Sequence, residues 1–178
     1  MARLANYLLD LGHCEVAMIA GITLNNERAR ERLDGVREAL AMRGIELPAE
    51  RVVQKPFTLS AGRDGLRAVF GGHTAPTAVV CGNDVLAIGA MAECNARGLA
   101  VPQQVSITGF DDMEIAALIS PGLTTVHFPT TELGVYAANH LLSRLAGKNV
   151  EFRCELPVEL VVRGTTAPPP GPRERVRT

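Results

Sequence analysis

The stretch TAVVCGNDVLAIGA, residues 77–90, decides the fold of this chain. It begins with a continuous apolar run, Thr77–Cys81, which is typical of a strand buried on both faces of a sheet. Asn83 and Asp84 follow directly, and side chains of these two types favour the start of a helix. The apolar residues behind them predict a helix that reaches about Arg97. The stretch therefore predicts one strand–helix unit of a parallel sheet.

The same alternation continues in both directions from this unit. Apolar runs at 16–20 and 52–53 come before it, and each is followed by apolar residues at helical spacing. A further apolar run at 105–108 comes after it, and the pair Asp111–Asp112 is expected to open a short helix. Successive strand–helix units predict an α/β domain with a doubly wound parallel sheet.

The last third of the chain departs from this rhythm. Strands are expected at 123–128 and 158–162, with a long helix between them. The tail 167–178 is rich in Pro and Arg and has no apolar periodicity, so we expect it to be disordered. One stripe of the long helix is apolar and needs a surface to cover it: Leu133, Ala137, Leu141 and Leu145.

Composition limits the class of protein. With 178 residues, 47% of them hydrophobic, the chain can bury one sizeable core. Its 18 basic and 19 acidic residues argue against a domain that grips DNA phosphates by itself. An aromatic content of 4% argues against a stacking surface for single-stranded nucleic acid. No segment reaches the ~18 to 20 apolar residues of a membrane span, and no secretion signal is found, so a cytoplasmic location is expected.

Metal, disulfide and enzyme chemistry find little support in the sequence. Cys81 and Cys154 lie in apolar runs, where a free thiol packs as a small hydrophobic group. The cysteines and histidines show no metal-ligand spacing. Motifs of phosphate-binding loops, serine hydrolases and zinc proteases are missing, and the segment 21–25 after the first apolar run has a single Gly. We therefore expect no catalysis, no cofactor and no metal.

Candidate ligand-binding residues follow from the geometry of such a sheet, because ligands bind beyond the carboxyl ends of its strands. These positions hold amides, carboxylates, guanidinium groups and an aromatic ring, which suit a ligand with several hydroxyl groups. The same residue types also have structural roles, since acids and amides cap helices, arginines form solvated faces, and a ring packs in the core. The positions are Asn25, Asn26, Arg28, Arg32, Phe57, Asn83, Asp84, Asp111 and Asp112.

Six short segments, taken in order, resemble one known family. They look like the regulatory domain of lactose/galactose-repressor (LacI/GalR) transcription factors, and their order and spacing make the resemblance specific. It runs from about residue 2 to residue 166. The segments are YLLDLGH at 7–13, RERLDG at 30–35, TAVVCGNDVLAIGA at 77–90, VPQQVSITGFDD at 101–112, PGLTTV at 121–126 and LVVRG at 160–164.

The resemblance implies a periplasmic-binding-protein-like domain of two α/β lobes, with a small-molecule effector, a sugar or a sugar acid, in the cleft between them. It also implies a homodimer that reaches operator DNA through a helix-turn-helix, which we expect outside this chain. By position, Arg32 matches the effector-contacting arginine and Phe57 the aromatic wall of the cleft. Asn83 matches the cleft amide, and Asp111 the aspartate that accepts effector hydroxyl groups.

Two positions depart from the family pattern. Phe128 stands where the family often has a polar residue that faces the cleft, and Arg28 stands where a smaller polar residue is frequent. A more apolar wall and an added guanidinium group predict a ligand other than a plain neutral sugar, such as an acidic one. Asn25 completes the predicted effector contacts.

The resemblance also implies a division of the chain. Residues 1–126 correspond to the C-terminal lobe, entered inside its first helix, and 127–150 to a crossover helix that belongs to the N-terminal lobe. Residues 151–166 correspond to the return strand. Most of the N-terminal lobe is expected outside this chain, so the apolar stripe of the crossover helix must be buried elsewhere, for instance against another copy.

Two apolar segments match regions that the family uses for dimerisation, although simple core packing also accounts for them. The predicted interface residues are Leu86, Gly89, Met91, Ile115 and Leu118. A secreted sugar-binding receptor of a transporter is the alternative function, since it shares the fold. It would carry a signal peptide and often more aromatic residues, and the TGFDD and PGLTTV segments favour the repressor.

Overall fold

The computed structural model describes residues 1–72, 74–150 and 155–171, and its centre is a parallel sheet of four strands. The two inner strands, β1 and β3, are buried along their whole length, as the continuous apolar runs predict. The predicted α/β fold with a parallel sheet is confirmed. In sheet order the strands are β2 (Val52–Lys55), β1 (Val16–Gly21), β3 (Ala78–Cys81) and β4 (Ser106–Thr108).

Helices cover both faces of the sheet. Successive side chains of a strand point to opposite faces, and β1 supplies both layers of the core in this way. Met18 and Ala20 pack under α1 (Ala2–Asp10) and α2 (Glu27–Ala41). Ala17 and Ile19 pack under α3 (Leu59–Val69) and α4 (Asp84–Ala96). The sheet is therefore doubly wound, with one apolar layer on each side. A turn of 3-10 helix, Ala49–Arg51, precedes β2.

The last third of the chain forms a two-stranded ribbon at the edge of this sheet. β5 (Thr125–His127) joins the β4 side through parallel bridges and pairs antiparallel with β6 (Glu159–Val161). Between these strands lies α6 (Thr130–Leu145), none of whose residues is buried. The short α5 (Glu114–Leu118) precedes β5.

Two predictions about local structure are wrong. Asp111 and Asp112 do not open a helix, because their φ angles of 114° and 51° lie in the left-handed region, and α5 begins later, at Glu114. The tail does not become disordered at residue 167. The Ala167 carbonyl accepts a hydrogen bond from His13 Nε2 at 2.8 Å, and its N–H donates to Ser106 Oγ. The prediction for 172–178 lies outside the described residues.

Three of the four cysteines lie in the described part of the chain. Cys14, Cys81 and Cys94 are free thiols there, and Cys154 lies outside it. Burial raises the pKa of Cys94 to about 12, so this thiol packs as an apolar group. Among the described residues, no helix combines the length and the hydrophobicity that crossing a membrane requires.

Two glycines bring α3 and α4 together at backbone distance. A Cβ added to Gly62 would overlap the carbonyl oxygen of Leu86, and one added to Gly89 would overlap that of Leu59. Leu86 itself is fully buried in the apolar layer on this side. Leu86 and Gly89 therefore pack in the core beneath α3 and α4, and this burial does not favour their predicted place at a dimer interface.

The close approach of α3 and α4 predicts a strong effect of a single methyl group. Gly89→Ala should lower the free energy of unfolding by about 1–3 kcal/mol, because the added Cβ forces two helix backbones apart. Gly134→Ala in α6 is the matched control, since a Cβ there meets nothing, and helix propensity favours it by up to about 1 kcal/mol. Urea denaturation of both variants measures the difference. Equal stabilities would contradict the described packing.

A buried carboxylate links the same two helices electrostatically. Glu93 of α4 is 4% exposed and accepts hydrogen bonds from Arg67 at 2.7 Å, Arg63 at 3.1 Å and Arg97 at 3.2 Å. The hydrogen bonds from Arg67, and after them those from Arg63 and Arg97, lower the pKa of Glu93 from 4.5 to about 2, against the opposing effect of burial. Glu93 is therefore a charged anchor within the α3–α4 pair.

This anchor predicts an acid-dependent part of the stability. Because the pKa of Glu93 is lower in the folded chain than in the unfolded one, its contribution is complete above pH 4.5 and is lost as the pH falls towards 2. Glu93→Gln should therefore destabilise the protein at pH 7, and the difference from wild type should shrink steadily below pH 4.5. Urea denaturation across this range measures it.

The exposed Glu46, for which the structure gives no hydrogen bond or ion pair with any described residue, provides the control Glu46→Gln. This variant should match wild type at every pH. A Glu93→Gln penalty that stays constant from pH 7 to pH 3 would contradict the assignment.

Candidate functional site

The side chain of Arg32 joins the carboxyl ends of neighbouring strands. The side chain extends from α2 towards the sheet. Its Nη1 donates a hydrogen bond at 2.8 Å to the carbonyl oxygen of Gly82, the residue that follows β3. Its Nη2 donates to Asp111 Oδ1 at 3.2 Å, beyond β4. The guanidinium group also lies 3.9 Å from the ring centre of Phe110, a cation–π contact. Arg32 and Asp111, both predicted from strand ends, are thus brought together.

Phe110 was not among the predicted residues. It is 8% exposed and belongs to the apolar layer under α1 and α2. The sequence could have indicated this residue, because Phe110 directly precedes Asp111. A ring at that position lies at the same carboxyl edge of the sheet as the predicted carboxylate. The ring provides a flat base on which the guanidinium of Arg32 rests.

The Arg32–Asp111 pair is partly shielded from water. The exposed fractions of the two side chains are 22% and 35%. Burial lowers the pKa of Arg32, and the carboxylate of Asp111 partly restores it. Burial likewise raises the pKa of Asp111, against the attraction of Arg32. Both charges are therefore partly removed from water, and each is the main ionic partner of the other.

Asp84 fixes the loop that carries Asp111. Its carboxylate is fully buried and accepts hydrogen bonds from Thr125 Oγ1 at 2.6 Å and from the Met113 N–H at 2.7 Å. Burial raises the pKa of Asp84, and these two hydrogen bonds partly oppose the shift. A Cβ on Gly109 would overlap this carboxylate, so only glycine fits there. Asp84 is therefore a structural residue that positions the site.

Asp112 forms a second junction at the same edge. Its Oδ1 accepts a hydrogen bond from Arg163 Nη2 at 2.7 Å, and its Oδ2 lies 3.1 Å from His127 Nδ1. Arg163 follows β6 and His127 ends β5, so the junction ties the ribbon to the loop after β4. Sequence reasoning assigned no role to Arg163, although this residue lies in the LVVRG segment that carries part of the family resemblance.

The two predicted aromatic walls lie in different environments. The ring of Phe57 lies across the end of β1, because a Cβ on Gly21 would overlap it, and it remains 42% exposed. Phe128 is half-buried and packs against the apolar layer under α1 and α2. Phe57 is thus open to a ligand, whereas a large part of Phe128 is engaged in the core.

The predicted amides have mainly structural contacts. Asn83 is 7% exposed, and its Oδ1 accepts a hydrogen bond from the Leu86 N–H at 2.9 Å, so it caps α4 as expected. Asn26 caps α2 in the same way through Ala29. Asn25 is exposed, with a left-handed φ of 55°. These contacts account for Asn83 and Asn26 without a ligand, and the effector contacts of Asn25 and Asn83 remain predictions.

The remaining predicted interface residues lie on the surface. Leu118 is 74% exposed and Ile115 is 45% exposed, while Met91 is partly buried. Met91 also lines an open groove between α4 and the end of α5, together with Ile88, Ala92, Asn95, Ile119 and Pro121. Within the described residues, no group of three or more His, Cys, Asp or Glu side chains could hold a metal ion.

Comparison with known proteins places this architecture in a family. A family profile described as a periplasmic binding protein-like domain matches residues 5–166. The HTH-type transcriptional repressor PurR of Klebsiella pneumoniae is 36% identical over 165 residues, which cover 92% of this chain and 48% of that repressor. The ribose operon repressor of Escherichia coli is 36% identical over 160 residues, which cover 89% and 48%.

A solved structure agrees with these relatives. A dimeric Lac repressor with a C-terminal deletion superposes with a TM-score of 0.87 at 32% identity, over 94% of this chain and 61% of that one. The chain spans about half the length of the curated relatives it matches. The chain therefore belongs to the periplasmic-binding-protein-like domain family, and the curated relatives that it matches are transcriptional repressors.

Proposed function

We propose that this chain is the effector-sensing and dimerising part of a cytoplasmic transcriptional repressor, and that it catalyses no reaction. A sugar or sugar-like metabolite binds at the carboxyl edge of the sheet, and operator DNA is bound by a helix-turn-helix outside this chain. The observation that carries the proposal is the Arg32–Asp111 pair on Phe110. The related repressors of known sequence favour this role over that of a secreted receptor.

The pair suits a ligand with several hydroxyl groups. The second carboxylate oxygen of Asp111 accepts hydrogen bonds from ligand hydroxyl groups, and Arg32 has further N–H groups to donate. The exposed ring of Phe57 offers an apolar surface for the carbon face of a sugar. Asn25, Asn83 and Phe128 are further contacts in this proposal, at the same edge.

A second lobe completes the cleft in this proposal. The carboxyl edge is open, and α6 extends from it without a buried residue. Val135, Leu141 and Leu145 of α6 are each more than half exposed. Such an apolar face is covered in stable proteins, and we assign it to the N-terminal lobe of the complete regulator. Effector binding that favours one arrangement of the lobes then shifts the population that binds DNA.

Asp111 provides a direct test of the proposed site. Asp111→Asn keeps the shape but removes the charge that binds Arg32, so effector affinity should fall about 10- to 100-fold, the value of a hydrogen bond to a charged group. Titration calorimetry on the full-length protein, with the best ligand from a panel of sugars and sugar acids, measures this loss. The effector concentration that shifts operator binding should rise by the same factor.

Asp34→Asn is the matched control, because Asp34 lies on α2 at 4.0 Å from Arg37 and takes no part in the proposed site. It should leave both quantities unchanged. An Asp111→Asn protein with wild-type effector affinity would refute the site.

The surface of α5 provides a test of dimerisation. Leu118→Asp should weaken the dimer at least about tenfold, because a carboxylate would be buried without a partner in a C2 contact. Sedimentation equilibrium of the full-length protein measures the dissociation constant. Met42→Asp is the control, since Met42 is 75% exposed against 74% for Leu118 and lies on the opposite layer, after α2. Unchanged dissociation of the Leu118 variant would exclude α5 from the interface.

A further inference from the structure

Two arginines lie one above the other on α2 at the edge of the candidate site. Arg28 precedes Arg32 by four residues, about one helical turn, so both lie on the same side of the helix. Burial is the main cause that lowers the pKa of Arg32, and the neighbouring positive charge of Arg28 lowers it further. The two guanidinium groups are therefore close enough to repel each other at the carboxyl end of the sheet.

Arg32 is neutralised within the structure, whereas Arg28 is not. Arg32 donates to Asp111 and to the Gly82 carbonyl. Arg28 is exposed and has no hydrogen bond or ion pair with any residue in the ranges that the structure describes. Glu31, three residues further on, is not paired with it, although that spacing permits a pair.

The other exposed arginines of α2 behave differently. Arg30 lies 4.0 Å from the carboxylate of Glu27, and Arg37 lies 4.0 Å from that of Asp34. Each of these arginines has an acidic partner three residues away on the solvent face. Arg28 is distinguished from them by its position on the stripe of Arg32 and by its lack of such a partner among the described residues.

The carboxylates at this edge are already engaged. Asp111 is bound by Arg32, and Asp112 is bound by Arg163. Asp84 is buried under its hydrogen bonds from Thr125 and the Met113 N–H. These bonds leave the charge of Arg28 without a counterion, within the described ranges, beside a pair that is itself neutral.

The geometry points to a ligand anion as the missing counterion: we propose that Arg28 binds a carboxylate or phosphate group of the effector. A guanidinium group binds both anions through two parallel N–H donors. The Arg32–Asp111 pair would hold the hydroxyl groups of the same ligand, and Phe57 its apolar face. The effector class is then a sugar acid or a sugar phosphate. This inference rests on the proposed effector site.

Calorimetric titrations at fixed ionic strength test the inference on the full-length protein. The ligands are D-gluconate, D-ribonate, D-glucose 6-phosphate and D-ribose 5-phosphate, each compared with its neutral parent, D-glucose or D-ribose. At least one anion should bind tenfold or more tightly than its parent. The ratio of the anion's affinity to that of its neutral parent is compared between the sugar acids and the sugar phosphates. The larger ratio identifies whether Arg28 binds a carboxylate or a phosphate group.

Two matched variants assign the preference to Arg28. Arg28→Gln should reduce the affinity for that anion at least tenfold while the affinity for the neutral parent changes little. Arg30→Gln removes the same charge from the same helix, but at a position paired with Glu27, and should keep the wild-type preference. Both side chains are exposed, so both variants should fold, as circular dichroism can verify.

Three results would overturn the inference. A neutral sugar that binds as tightly as its acid or phosphate would overturn it, and so would an Arg28→Gln protein that keeps the preference. In both cases a ligand that still shifts operator binding leaves the proposed function intact. If no compound of either charge binds, the inference and the proposed effector site fail together.

Discussion

The buried carboxylate of Asp84 is the interaction on which the geometry of the candidate site depends. Asp84 is the first residue of α4. Its carboxylate accepts one hydrogen bond from Thr125 of β5 and one from the Met113 N–H in the loop after β4. A buried charge of this kind is costly to leave without partners. The three segments are therefore held at one point, and Asp111 in the held loop meets Arg32 as a result. Position 109 requires glycine because a side chain there would overlap the carboxylate of Asp84.

The core and the site divide the residues of the sheet in a simple way. The inner strands β1 and β3 are buried along their whole length, so their side chains serve packing alone. Polar groups collect just past the strand ends, where the helices and loops leave water access. The half-shielded Arg32–Asp111 pair and the open ring of Phe57 both lie past the strand ends. A rigid core below and partly exposed polar groups above are what the proposed ligand-binding edge requires.

Sequence reasoning predicted the features that depend on local chemistry. The continuous apolar runs predicted β1 and β3, Asn83 was expected to cap a helix, and strand-end geometry selected Arg32 and Asp111. It failed where distant segments decide the outcome. The left-handed turn at Asp111 and Asp112, the burial of Gly89 against the α3 backbone and the attachment of Ala167 to His13 each depend on contacts that no local pattern contains.

The ribbon of β5 and β6 has a mechanical consequence. The chain leaves the lobe after His127 and returns at Glu159, and these two residues are paired across the ribbon. Phe128 and Val158, beside the ribbon, also pack against the apolar layer, whereas α6 has no buried residue. The described helix α6 is therefore attached mainly through these two adjacent strands and the residues next to them. Torsion about such a narrow tether need not break the ladder of β2, β1, β3 and β4, whose registers are set elsewhere.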